Sequence, residues 1–116
     1  MSAFLVVTID TDGTTSRQVW DLSEDSTLAH LQKAVGGHVD VVALSPWLDM
    51  WVNDEGILLG LPVNPVATRV AATYGPRIPY FGPVVLTGGP DPEGATLPLT
   101  DEHAAHLVAL GLAARP

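Results

Sequence analysis

"LDMWVNDEGILLGLPVNPVA", residues 48 to 67, carries most of the chain's punctuation, and its reading decides the fold. Leu48, Met50 and Val52 alternate with Asp49 and Trp51, the period-two pattern of a strand. "VNDEGI" has the form of a type I turn closed by a left-handed glycine. In it Asn53 can bond its own turn, Asp54 and Glu55 suit an exposed corner, and Gly56 accepts positive φ. On this reading "ILLG" returns antiparallel to "DMWV". Its Ile57, Leu58 and Leu59 make it apolar on both faces, so it is either buried on two sides or an interface edge. Leu61-Pro62 then breaks the strand. Asn64 caps a helix, and Pro65 occupies the first turn, where a missing N–H costs nothing. Val66, Ala67, Val70 and Ala71 form its apolar stripe, and Gly75-Pro76 ends it.

Outward from this stretch the signals are of the same kind. "FLVVTIDTDGTTSRQVWDL", residues 4 to 22, places two β-rich runs around Asp12-Gly13, a hairpin signal. A two-residue turn sets Leu5 opposite Trp20 and Val6 opposite Val19, whereas a three-residue turn sets Val6 opposite Trp20. Both faces carry apolar residues, so the pattern leaves both registers open. "SEDSTLAHLQKAVGG" predicts a helix capped by Asp25 or Ser26, with Leu28, Leu31 and Val35 at helical spacing and Gly36-Gly37 as its stop. "VDVVAL" predicts a strand ended by Ser45-Pro46, and "IPYFGPVVLTG" another, mainly from Pro83 to Thr87. "TDEHAAHLVALG" predicts a closing helix with Thr100 as cap and Gly111 as stop.

The expected fold is therefore α+β: a single, mostly antiparallel sheet of about five strands with two to three helices, packed mostly on one face. Hairpin, helix and strand in that order resemble the start of a β-grasp. One domain over residues 1–111 is expected, with 112–116 as a frayed tail.

Composition excludes more than it selects. With no cysteine, the chain has no disulfide, thiolate zinc site or cysteine nucleophile. Thirteen acids against five bases give a formal charge of −8, which repels phosphate backbones, so direct nucleic-acid binding is not expected. "MSAFLVVTID" reads as a strand and not as a signal peptide, and no apolar run reaches membrane-span length; a cytoplasmic location without membrane contact is expected.

The middle of the chain resembles a known family. "WVNDEGILLGLPVNPVATRVAATYG", "YFGPVVLTGG" and "LTDEHAAHL" are similar to the domain of unknown function 3846, small proteins of actinobacteria, their plasmids and their phages. The likeness spans roughly residues 36 to 110 and rests on "VGG", the "NDEG" turn, the "LPVNPVAT" cap and the "GPVVLTG" strand. Asn53, Asp54, Glu55, Gly56, Asn64 and Pro65 are the matching turn and cap residues. The resemblance implies a mobile-element or accessory origin and brings no catalytic residue with it.

No residue cluster points to catalysis or to a cofactor. His103 and His106 are three apart on a predicted helix, with Asp101 or Glu102 nearby, but a zinc site needs a third ligand from a converging element. A solvated helix face is the expected reading. Asp54 and Glu55 diverge from a tight turn, where nothing raises a carboxyl pKa. The serines lie in strands, caps and turns without a nucleophile elbow, and the glycine pairs lack a phosphate-loop lysine.

Trp47, Asp49 and Trp51 share one face if strand alternation holds, either as covered core or as an aromatic anchor for a partner. With 47% apolar residues and no convergent chemistry, the leading expectation is a non-catalytic protein-interaction module. Its partner is another protein or a second copy, met through Trp47, Asp49 and Trp51 or through Ile57 and Leu59. Two alternatives stand beside it. An acidic DNA mimic would need nearly all thirteen acids on one face, since duplex of matching length shows roughly ten phosphates on one side. A small-molecule-binding domain is the other, with no ligand identified by the residues.

Overall fold

The computed structural model describes residues 3–115. Five strands form one sheet in the order β2-β1-β5-β4-β3, with every pairing antiparallel. The strands are β1 (Ala3–Ile9), β2 (Thr15–Asp21), β3 (Val39–Ser45), β4 (Leu48–Asn53) and β5 (Val84–Thr87). The helices are α1 (Thr27–Val35), α2 (Pro65–Thr73) and α3 (Asp101–Ala113). β5 is short, last in sequence and central in space. Its four residues are all buried, as a strand covered on both faces must be.

The two faces are covered by different helices. On one, Phe4, Val6 and Val85 pack under Leu31 and Val35 of α1. On the other, Val7, Ile9, Leu48, Met50, Val84 and Leu86 pack under α2 and α3. The expected one-face packing thus holds for two helices, and α1 lies opposite. Each fully buried aliphatic side chain contributes about 1.5–3 kcal/mol relative to exposure. Of the predicted α1 stripe, Leu31 and Val35 are buried, but Leu28 is 52% exposed because it lies on the outer side of the first turn.

Helix ends follow the local signals. Ser26 caps α1 through Ala29 N–H, and Gly36, at φ +81°, donates to Gln32 O at its end. Asn64 caps α2 through Ala67 N–H, and Thr100 caps α3 through His103 N–H. Gly111 does not stop α3. It is buried inside the helix, which runs on to Ala113, because its bare Cα lets α3 seat against Thr15 of β2. Pro116 of the expected frayed tail lies outside the described residues, as do Met1 and Ser2.

The opening hairpin takes neither expected register. Phe4 faces Trp20, Leu5 faces Val19 and Val6 faces Gln18. The loop begins one residue earlier than Asp12-Gly13 suggested. Asp10 N–H donates to Thr14 O at 2.9 Å, leaving Thr11, Asp12 and Gly13 as the turn. Asp10 Oδ1 accepts Thr11 N–H and Asp12 Oδ1 accepts Thr14 N–H, while Gly13 supplies φ +91°. The hydrogen bond from the Thr14 backbone holds the Asp12 carboxyl below its ordinary pKa.

Candidate functional site

Residues 52–58, from the end of β4 into the turn after it, border a cleft of the surface. The cleft, of about 430 Å³, is lined by them on one wall and by Pro79, Tyr80 and Phe81 on the other. The expected returning strand is absent. Residues 54–60 are consecutive turns, closed by Leu59 N–H to Glu55 O at 2.8 Å and Leu61 N–H to Gly56 O at 2.9 Å. The partner edge of β4 is already filled by β5, so "ILLG" has no strand to join there. Gly60, not Gly56, supplies the positive φ, at +68°. Gly56 is needed for a different reason: a Cβ there would stand 3.2 Å from Phe81 O, so the two walls of the cleft could not meet as closely.

Two asparagines fix these walls. Asn53, at the end of β4, donates from Nδ2 to Val35 O at 3.1 Å and accepts Glu55 N–H on Oδ1 at 2.8 Å. It thus holds the turn to the end of α1. Asn64 is fully buried and donates to Ile9 O at 3.0 Å and Gly82 O at 2.9 Å. Its Oδ1 accepts Ala67 N–H at 3.0 Å, and its backbone N–H donates to Tyr80 O at 2.8 Å. Every polar atom of that side chain is thereby occupied, and none faces the cleft. Pro65 follows at the first position of α2, as expected.

The turn is solvent-facing to an unusual degree for its composition. Ile57 is 73% exposed, Leu58 84% and Leu59 57%, and Ile78 on the facing segment is 58% exposed. Asp54 and Glu55 are exposed beside them. Among the described residues neither carboxylate forms an ion pair; the salt bridge there joins Arg17 to Asp101.

The other expected interaction residues do not converge on this surface. Trp47 lies in the two-residue turn between β3 and β4, next to a register shift at Ala43/Ser45, where strand alternation no longer applies. Its ring packs 3.9 Å from that of His103 and edge-on to Tyr74 at 6.1 Å, on the α2/α3 side. Trp51 packs on the α1 side, where its Nε1–H donates to Thr87 Oγ1 at 2.9 Å. Asp49 is 6% exposed, paired across the sheet with Thr87, and burial raises its carboxyl pKa. The expected common face of Trp47, Asp49 and Trp51 is therefore split. His106 is exposed on α3, and no group of three or more metal-ligating side chains converges among the described residues. None of their helices is long and apolar enough to cross a membrane.

Pro79, Tyr80 and Phe81, which complete the cleft, lie in the sequence as the approach to the strand expected from Pro83 to Thr87. Their one signal was composition: "IPYFGP" concentrates aromatic and proline residues where a solvated loop would be polar.

Among known proteins, a family model described as Domain of unknown function (DUF3846) matches residues 3–110, taking in the opening hairpin as well as the middle of the chain. No curated protein and no solved structure matches the chain.

Proposed function

The chain belongs to the DUF3846 family, and we propose that it works as a protein-interaction module whose docking surface is the Ile57–Leu59 turn and the cleft beside it. The observation that carries this reading is the exposure of three consecutive aliphatic residues on a turn that hydrogen bonds hold in shape. Contiguous exposed apolar surface next to polar residues marks places where proteins meet. Burying one such side chain in a partner is worth roughly 2 kcal/mol, about thirtyfold in affinity. The cleft alone has the volume of a small-ligand site, but a small ligand seated in it would leave Leu59 wet. A macromolecular partner covers both.

The acidity gives less support to mimicry of DNA. Asp10, Asp12, Asp54 and Glu55 stand at one end of the sheet, whereas Asp21, Asp91 and Glu93 stand at the other. A mimic needs its charges along one continuous face. An accessory role in the cytoplasm of an actinobacterial host, of phage or plasmid origin, accords with the family resemblance.

The test is a comparison of the intact chain with its Leu58→Asp variant, each immobilised and exposed to host extract, with light scattering to report self-association. A partner or second copy retained by the first and lost by the second supports the reading. Equal retention by both would move the docking surface elsewhere.

A further inference from the structure

The composition of the cleft carries the reading further, to the chemistry of the partner. Its walls are apolar where Ile57, Leu58, Pro79 and Phe81 face it, and acidic where Asp54 and Glu55 stand at its edge. Both carboxylates are exposed and free of ion pairs among the described residues, and the chain as a whole carries −8. Arg77, two residues before Pro79, is exposed, does not line the cleft and forms no ion pair with either among the described residues. We infer that the occupant is a segment of another protein in which an apolar anchor is flanked by lysine or arginine, the anchor entering the cleft and the bases meeting Asp54 and Glu55.

This rests on the docking reading above and adds the sign of the partner's charge. Opposite charge at a rim raises encounter rates and rejects like-charged competitors. A second copy of this chain is disfavoured on the same ground. Self-association through the turn brings two copies of Asp54 and Glu55 together, in a chain with five bases against thirteen acids. An anionic lipid surface is repelled for the same reason, although the apolar turn could enter a bilayer interface.

Three labelled peptides sharing a Leu-Trp-Leu core, flanked by lysines, by serines or by glutamates, test the inference by fluorescence anisotropy on the full chain. The lysine-flanked peptide is expected to bind about tenfold tighter than the serine-flanked one, the preference shrinking between low and high salt. The double variant Asp54→Asn/Glu55→Gln erases that preference. Asp21→Asn/Glu24→Gln, which removes the same charge at the far end of the sheet, leaves it in place. Leu58→Asp weakens all three peptides. Serine- and lysine-flanked peptides of equal affinity would overturn the inference and leave the docking surface standing. A lysine preference that survives loss of Asp54 and Glu55 would overturn it by locating the contact elsewhere. Affinities untouched by Leu58→Asp would remove the docking surface itself. Co-sedimentation with vesicles of phosphatidylcholine and phosphatidylglycerol, without peptide binding, would replace the protein partner by a lipid surface.

Discussion

Asn64 joins more of the buried interior than any other polar side chain described. It satisfies the carbonyls of Ile9 and Gly82 and the N–H of Ala67 at once. Asn64→Ala removes hydrogen bonds to three buried backbone groups, a helix cap among them, so a loss of about 3 kcal/mol is expected in denaturant titration. Asp49 presents the opposite case, a buried carboxyl whose charged form has lost water. With its pKa raised by burial, the folded chain keeps a proton that the unfolded chain has released. Stability therefore falls as pH rises from the ordinary value of 3.8 through the raised one, and the cost persists above it. Asp49→Asn removes that cost. Thermal melts should show the variant more stable at pH 7, the gain disappearing below pH 3.8.

At the scale of the element, α3 shows how a residue can contradict its local signal. Gly111→Ala improves helix propensity by about 1 kcal/mol. Its Cβ, however, would stand 2.6 Å from Thr15 Oγ1 and 2.8 Å from Thr15 Cγ2. Overpacking of this kind costs about 1–3 kcal/mol, so the variant is expected to be less stable than the parent. Thr15→Ala in the same chain should return most of the loss, and a double-mutant cycle in urea measures that coupling. Gly111 was legible as a helix stop because position alone suggests one; that it is a packing site depends on β2, nearly a hundred residues away in sequence. The same divide runs through the molecule. Asn64 and Thr100 were readable as caps, and the α1 cap was narrowed to Asp25 or Ser26, because a cap is made within one turn of chain. The "ILLG" run was misread as a strand because a short apolar run has no period to separate strand from exposed turn. The cleft was illegible for a related reason. One wall was in view at residues 53–57, but Pro79, Tyr80 and Phe81 reach it through the Val63–Phe81 bridge and the Asn64 bonds, contacts that no local pattern encodes.

For the whole molecule, the separation of stability from docking is itself a prediction. Leu58 is 84% exposed and supports no core contact, so Leu58→Asp should alter folding free energy by no more than about 0.5 kcal/mol while abolishing partner capture. Circular dichroism melts alongside the capture assay check both halves. The order of the strands has a further bearing on how the chain comes to exist. The pairs β1–β2 and β3–β4 are each made by neighbours in sequence, yet they meet only through β5, which enters between β1 and β4. Until β5 is in place a slot separates β1 from β4, and any pairing formed on either side of it has a facing edge that is unbonded and open to other chains. Emergence of Val84–Thr87 closes that slot and unites the halves in one event. The two edges most open to misassembly are therefore protected only by the last and shortest strand.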